Sequence, residues 1–219
     1  MRRLSASPPR RMGALRVVNL TRELAPQCAA LELAAFPSTD PSVLISEADM
    51  RAYADTFPGG FFVVLDGDRA IAQGAGIYVD FDFDHPQHTI AEVTGTHQCG
   101  HHDPAGAWYY GTDIVVHPDY RRRGIGRWLY DLRKELVVRD RKRGIIAGGY
   151  LAGFHEHKHA LTAEQYCRAV VAGTIYDSTL TMQLENGFEV RGVLANYLAD
   201  TRNDGWASLI VWENPQFGG

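Results

Sequence analysis

The sequence of 219 residues has only three cysteines, Cys28, Cys99 and Cys167, and no C-x-x-C pair. This spacing indicates neither a disulfide framework nor a thiolate zinc site. No run of apolar residues approaches the length of about 18 that a membrane helix needs. We therefore predict that the chain has no membrane partner and that its compartment is a reducing cytoplasm.

Positive charge is also not in excess, because the chain has 22 lysines and arginines but 26 aspartates and glutamates, which gives a formal net charge of −4. A general nucleic-acid-binding domain is usually basic, so the short arginine cluster 121–123 does not by itself indicate one. We predict no nucleic-acid partner. The apolar fraction of 45% is typical of a globular chain, and the length suits one domain with a proper core.

The stretch 113–136 carries the strongest pattern in the sequence. Residues 114–116 are a β-branched run, and Pro118 ends it because proline has no N–H to give to a neighbouring strand. Apolar residues then recur at intervals of four, three and four, which predicts an amphipathic helix. These residues are Ile125, Leu129, Leu132 and Leu136.

A short basic glycine loop, Arg121-x-x-Gly124-x-Gly126, joins this strand to this helix. The first turn of a helix has about four N–H groups without partners, and the two glycines let an anion approach them closely. The arginines add positive charge at the same end of the helix. The loop lacks the third glycine of the dinucleotide-binding motif and the Gly-Lys-Ser/Thr of the Walker motif. It therefore predicts an anion-binding loop of a different kind.

This loop resembles the Q/R-x-x-G-x-G/A signature of the GCN5-related N-acetyltransferases, the GNAT superfamily. The resemblance implies an α/β fold with a mixed, mostly antiparallel central sheet of about seven strands, flanked by helices, and a splay between the two central strands. It also implies that the loop amides hold the pyrophosphate of acetyl-coenzyme A (acetyl-CoA), the co-substrate. The cofactor-binding residues implied in this way are Ile114, Val115, Val116, Arg121, Arg122, Arg123, Gly124, Ile125, Gly126 and Arg127.

Other stretches of the chain agree with this fold. A β-branched strand over 15–20 comes before two helices, and Ser46 with Asp49 forms a capping box at the start of the second helix. Near the end of the chain, 188–198 and 206–212 predict a closing antiparallel pair of strands. The expected organisation is a flexible basic tail over 1–13, a domain over 14–214 with a long insert loop at 84–106, and a short tail over 215–219.

Longer motifs resemble one GNAT subgroup, the acetyltransferase domains fused ahead of a carbon–nitrogen hydrolase domain. They include His102-Asp103-Pro104, Tyr110-Gly111-x-Asp113, Ala147-Gly148-Gly149 and Leu184-x-Asn186-Gly187-Phe188. The sequence departs from this subgroup because it has no room for the hydrolase domain. It also has Gln183 where many superfamily members have a tyrosine, and an amide cannot protonate a leaving thiolate at neutral pH.

Two histidine-rich segments lie outside these motifs, at 85–104 and 154–159. Imidazole is a zinc ligand, so the segment 85–104 is a candidate metal site or substrate-facing lid. The sequence favours the alternative of surface loops whose polar side chains cap their own turns, because the histidine spacing fits no closed zinc pattern. The alternating Asp80, Asp82 and Asp84 lack the glycine and the distal glutamate of an EF-hand. We predict no metal site.

Acetyl transfer to an amine needs a route for the amine proton, and the candidates are Tyr110, Asp113 and His155. Tyr110 and Asp113 lie three residues apart on the central strand, so regular alternation places them on opposite faces of the sheet. Asp113 is equally well explained as a structural carboxylate. Histidine titrates near neutral pH, but His155 is equally well explained as a surface residue.

The sequence therefore predicts an acetyl-CoA-dependent N-acetyltransferase, in which an amine of a small molecule or a protein attacks the thioester directly. The alternative is a degenerate GNAT fold that binds coenzyme A without turnover, which Gln183 in place of tyrosine favours. A nucleic-acid module that uses the arginine cluster is a third and poorer interpretation, because the net charge is negative. For the oligomeric state, the sequence is compatible with a monomer and with a homodimer.

Overall fold

The computed structural model of the protein describes residues 10–37 and 44–218. Its strands are β1 (Arg11–Met12), β2 (Leu15–Asn19), β3 (Phe62–Asp66), β4 (Arg69–Val79), β5 (Trp108–Val116), β6 (Gly144–Tyr150), β7 (Glu189–Leu194) and β8 (Ala207–Glu213). Its helices are α1 (Ala25–Ala35), α2 (Glu47–Thr56), α3 (Ile90–Thr94), α4 (Ile125–Arg139), α5 (Ala163–Val171) and α6 (Leu180–Glu185).

These strands form one mixed sheet in the order β1-β2-β3-β4-β5-β6-β8-β7. All neighbours are antiparallel except the central pair β5 and β6, which run parallel. Their pairing covers only Trp108 to Tyr110 against Gly144 to Ile146, although both strands continue beyond it. The two strands separate after this point, which confirms the mostly antiparallel sheet with a central splay.

The sheet has one strand more than the sequence predicts. Arg11 and Met12 pair with Arg16 and Leu15, so the end of the predicted tail belongs to the sheet. Residues 1–9 of that tail, and residue 219, lie outside the described residues.

Helices cover both faces of the sheet. On one face, α4 buries Leu129, Leu132 and Leu136 against residues such as Ile145 of β6, and α5 and α6 pack beside it. On the other face, α1 and α2 bury a second cluster that includes Met50. Burial of one such apolar side chain contributes roughly 1.5–3 kcal/mol. No helix within the described ranges is long and apolar enough to cross a membrane.

Side-chain caps begin several of the helices, and the sequence predicts the first of them. The capping box of Ser46 and Asp49 begins α2, and Thr162 with Gln165 forms the same arrangement at α5. The Asp177 carboxylate accepts hydrogen bonds from the N–H groups of Thr179 and Leu180 at the start of α6. Local side-chain chemistry thus sets where these helices begin.

The predicted insert loop at 84–106 contains the short helix α3. Thr89 and Glu92 form a capping box at its start. The N–H of Ile90 donates to the carbonyl of Tyr197, which ties this segment to the loop between β7 and β8. The insert therefore lies beside the central strands.

Candidate active site

The N-terminus of α4 is open. Gly124 occupies the N-cap position with a left-handed backbone, at φ of 81°, and no side chain caps the helix. The first helical hydrogen bond runs from the Trp128 N–H to the Gly124 carbonyl. The N–H groups of Ile125, Gly126 and Arg127 therefore have no helical acceptor, and such groups bind anions.

The arginines around this helix end have different roles. Arg121 donates to the carbonyls of Val116 and Ala35, so its guanidinium ties β5 to the end of α1. Arg123 donates to the Asp119 carbonyl and lies over the Tyr120 ring at 4.9 Å. Arg121 and Arg123, both predicted to bind the cofactor, thus already use their guanidinium groups in contacts within the protein.

Arg122 and Arg127 are exposed and form no ion pair within the described residues. Arg122 has a φ of 62°, a conformation that costs a non-glycine residue roughly 1–2 kcal/mol. Arg122 and Gly124 both have a positive φ. Such changes of backbone conformation along a loop can turn successive N–H groups toward one bound anion. Both arginines are available to a bound phosphate.

The other half of the site is the splayed edge of β5. Ile114 and Val116 pack toward α4, whereas Val115 packs against Leu31 and Ala35 of α1. Past Tyr110, this edge of β5 has no strand opposite it in the described structure. Buried backbone groups need partners, so this edge can accept an extended ligand.

A bulge in β5 corrects one prediction. Gly76 pairs with Gly111 and Ala75 pairs with Asp113, so Thr112 is an extra residue in β5. The extra residue cancels the alternation between Tyr110 and Asp113. Both side chains therefore face α1 and α2, and the expectation of opposite faces was wrong.

The Asp113 carboxylate lies in a buried polar group under α1. Gln73 Nε2 donates to Asp113 Oδ2 at 3.1 Å and to Glu32 Oε1 at 2.5 Å. Glu32 is only 2% exposed and shares a hydrogen bond with Asp113. Burial, and then the charge of Asp113, raise the pKa of Glu32, and burial also raises the pKa of Asp113. The pair therefore holds a proton at neutral pH.

Arg133 of α4 holds the bulge from the opposite face. Its Nη2 donates to the carbonyls of Ala75 and Asp113, and the residue is 2% exposed. The guanidinium lies 5.8 Å from the ring centres of Tyr109 and Tyr130. The sequence gives no sign of this role for Arg133, because a charged residue in an amphipathic helix ordinarily faces water.

Tyr110 lies at the apex of the splay. Its hydroxyl oxygen is 3.0 Å from the Tyr197 hydroxyl and 2.7 Å from His88 Nε2. Burial raises the pKa of Tyr110, so its phenol stays neutral. Neither His88 nor Tyr197 was among the predicted site residues.

His155 lies apart from the other two candidates. It follows β6, and its Nε2 is 2.7 Å from a guanidinium nitrogen of Arg202. Its Nδ1 is buried without a hydrogen-bond partner in the described structure. No hydrogen bond within the described residues joins it to Tyr110 or Asp113, so the three candidates do not form one constellation.

Gln183, at the position where many superfamily members have tyrosine, is 4% exposed. Its Oε1 has no hydrogen-bond partner within residues 10–37 and 44–218. A Cβ on Gly149 would lie 2.6 Å from that oxygen, so only glycine leaves room beside it. Gln183 therefore presents a free acceptor next to β6.

The histidine-rich insert does not gather metal ligands. No group of three or more His, Cys, Asp or Glu side chains lies close enough to hold a metal ion in the described ranges. Its histidines have partners of other kinds. His97 Nδ1 lies 2.8 Å from Asp49 Oδ1, His101 Nδ1 lies 3.1 Å from the Glu92 carbonyl, and His102 Nδ1 accepts from the Tyr78 N–H.

Comparison with known proteins agrees with this geometry. A family model for the acetyltransferase (GNAT) domain matches residues 58–166, which span β3 to the start of α5. The uncharacterized N-acetyltransferase YkwB of Bacillus subtilis is 32% identical over 206 residues, covering 94% of this chain and 91% of YkwB. The chain belongs to the GNAT acetyltransferase family.

A second relative of this GNAT chain is the probable hydrolase YhcX of Bacillus subtilis, 32% identical over 183 residues. The match covers 83% of this chain and 35% of YhcX, so the chain spans about a third of that protein. This agrees with the predicted resemblance to acetyltransferase domains fused to hydrolases.

Solved structures share the fold at low sequence identity. The loading GNATL domain of CurA from Lyngbya majuscula superposes with a TM-score of 0.80 at 14% identity, covering 91% of this chain and 98% of that domain. The GphF GNAT-like decarboxylase in complex with isobutyryl-CoA gives 0.72 at 18% identity, covering 91% and 99%. At these identities the likeness shows the fold alone.

Proposed function

We propose that this protein transfers the acetyl group of acetyl-CoA to an amine by direct attack. The open N-terminus of α4, beside the splay between β5 and β6, carries this proposal. It combines unpartnered N–H groups and exposed arginines with a free strand edge leading away from them. A ligand with an anionic pyrophosphate at one end and an extended, amide-containing arm fits both parts.

Several residues of this site would suit coenzyme A. The N–H groups of Ile125 and Gly126, with Arg122 and Arg127, would hold the pyrophosphate. The Gln183 Oε1 is an acceptor without a partner, and an amide N–H of the pantetheine arm would satisfy it. Acetyl-CoA, when bound, supplies an activated acetyl group as a thioester.

The chain itself must orient the amine and take its proton. An amine with a pKa of about 10.4 is almost wholly protonated at neutral pH, so a proton acceptor within reach typically contributes about 10²–10⁴ in rate. Tyr110 lies at the apex of the splay, whereas Asp113 turns toward Glu32 and His155 toward Arg202. Of the three candidates we therefore assign Tyr110 to the site, as a neutral phenol that orients the amine by a hydrogen bond, and the amine proton passes to water.

Differential scanning fluorimetry tests the binding part of this proposal. We expect acetyl-CoA to raise the melting temperature and NAD to leave it unchanged, because the loop lacks the dinucleotide glycine spacing. Ligand at about 100 times its dissociation constant adds roughly 2.7 kcal/mol of stability. Stabilisation by NAD without stabilisation by acetyl-CoA would refute the assignment.

Turnover is tested by release of free thiol across a panel of small amines and peptides. Isobutyryl-CoA, the ligand of the GphF structure, serves as the second acyl donor. We expect thiol release from acetyl-CoA that depends on an amine. Binding with no thiol release from any pair would favour the alternative, a GNAT fold that binds coenzyme A without turnover.

A further inference from the structure

A group of polar side chains lies at the end of β6, on the face of the sheet that α1 and α2 cover. β6 pairs with β8 without interruption, so Tyr150, its last residue, shares a face with Gly148 and Ile146. Ile146 belongs to the core beneath α1 and α2, which identifies that face. We call this group the polar cluster, and its members are Tyr150, His155, Asp200, Arg202 and Asn203.

The polar cluster lies beside the splay. β5 and β6 pair only as far as Ile146, so Tyr150 is four residues past the last pair, roughly 13 Å along the strand. Helix α4, whose N-terminus is the proposed pyrophosphate site, packs on the other face of the sheet. Coenzyme A therefore enters the splay from the side of α4. An amine that attacks its thioester approaches from the side of the polar cluster.

The loop between β7 and β8 fixes the positions of the cluster's side chains. The Asp200 carboxylate accepts hydrogen bonds from the N–H groups of Arg202 and Asn203, at 2.9 and 3.2 Å. The next residue, Asp204, forms an ion pair with Lys158 at 2.8 Å, which ties the loop to the segment after β6. Residues held in this way by a loop on a rigid sheet are typical of binding sites.

Arg202 gives the polar cluster a positive charge that can reach a ligand. It is exposed, and its guanidinium forms no ion pair with a carboxylate within residues 10–37 and 44–218. One of its nitrogens lies 2.7 Å from Nε2 of His155, which leaves the others available to a ligand. The Asp200 carboxylate is already engaged by two N–H groups and by the Tyr150 hydroxyl. The side chain of Glu156 is 71% exposed, so water screens its charge.

Two further groups of the cluster indicate that the ligand is polar. Asn203 is 0% exposed and lies close to the Tyr150 hydroxyl, yet neither Nδ2 nor Oδ1 has a hydrogen-bond partner in the described structure. His155 Nδ1 is also buried and without a partner there. Buried polar groups in folded proteins nearly always have a partner, and a bound polar molecule would supply one. The half-buried Tyr150 and the exposed Arg202 open the cluster to solvent.

We propose that the polar cluster binds a carboxylate of the acetyl acceptor, so that the acceptor is a small amine that also carries a carboxylate. This inference rests on the proposed function. The planar fork of Arg202 matches the two oxygens of a carboxylate, and Asn203 Nδ2 is a second donor. A doubly charged phosphate suits the cluster less well, because Asp200 repels the additional charge. The carboxylate takes no part in the transfer itself, and its binding places the amine at the splay.

The experiment measures kcat/KM for thiol release with a series of ω-amino carboxylates, from glycine to aminohexanoate, and with the methyl ester of each. The ester keeps the amine and the chain and removes the negative charge. The ratio of the two values is compared between the parent and Arg202→Gln, so that differences in reactivity between the two amines cancel. Arg202→Lys keeps the charge without the planar fork. Arg168→Gln is the matched control, since Arg168 is an exposed arginine on α5 that pairs with Glu164 of the same helix.

We expect Arg202→Gln to lower the carboxylate-to-ester ratio at least about tenfold, mainly through KM. Arg202→Lys should retain part of the preference and Arg168→Gln all of it. The dissociation constant of coenzyme A, measured by calorimetry, should be the same in Arg202→Gln as in the parent. Circular dichroism establishes that each variant is folded.

Three results would overturn the proposal. Equal ratios in the parent and in Arg202→Gln, in an enzyme that acetylates amines, would overturn the acceptor site alone. Weaker binding of coenzyme A by Arg202→Gln would assign Arg202 to the cofactor instead. A parent enzyme that binds acetyl-CoA but releases no thiol with any amine would overturn the proposed transfer and the acceptor site with it.

Discussion

Gly126→Glu tests the assignment of the loop at α4 most sharply. Gly126 lies in the first turn with an ordinary helical backbone, so glutamate fits the helix and improves its propensity by up to about 1 kcal/mol. A Cβ there would lie 3.3 Å from Met182 Sδ, the flexible end of a side chain that can move a few tenths of an ångström. The fold should therefore survive.

The carboxylate of this variant would occupy the place of the pyrophosphate. Charge-assisted hydrogen bonds contribute about 1.5–3 kcal/mol each, so loss of two or more predicts a loss of at least about 2.7 kcal/mol, or a hundredfold in affinity. Isothermal titration calorimetry with coenzyme A measures this directly. Gly126→Ala makes the same contact with Met182 without the charge, and we expect it to lose less than about tenfold. A Gly126→Glu protein that binds as tightly as the parent would place the cofactor elsewhere.

Three further predictions concern other parts of the chain. The pKa of Glu32 is raised in the folded state, so the folded protein keeps a proton that the unfolded chain releases, and the free energy of unfolding falls by up to about 1.4 kcal/mol per pH unit above the pKa of the unfolded carboxyl. In Glu32→Gln, the free energy of unfolding in urea should depend less on pH between about pH 6 and pH 8. An unchanged pH dependence would contradict this. Arg133→Met should lower the free energy of unfolding by about 2–4 kcal/mol, since two buried carbonyls lose their hydrogen-bond donor. Leu132→Met is the control, and an equal free energy of unfolding in urea for the two variants would refute that role of Arg133. Chelators should leave melting temperature and turnover unchanged, and stoichiometric zinc whose removal unfolds the protein would show a metal site.

The loop at α4 could be predicted because its determinants are local. Glycine spacing, a proline that ends the strand and a helical apolar stripe all lie within 113–136, and each acts on its immediate neighbours. The capping box of α2 was found for the same reason.

The polar groups behind the splay could not be found in this way. Glu32 meets Asp113 only because α1 packs across β4 and β5, and His88 meets Tyr110 only because the insert folds back beside the central strands. The bulge at Thr112 leaves no mark in the hydrophobic pattern, yet it changes which face Asp113 occupies. Such contacts depend on tertiary packing, which residue spacing does not encode.

Steady-state thiol release with acetyl-CoA, run with and without an amine and paired with mass spectrometry of the amine, tests the central claim most directly. The claim predicts that thiol appears only when an amine is present and that the amine gains one acetyl group for each thiol released. Gly126→Glu should lose this activity at low acetyl-CoA and recover part of it at high concentration. Saturable binding of acetyl-CoA with no acetylated product from any amine would contradict the claim.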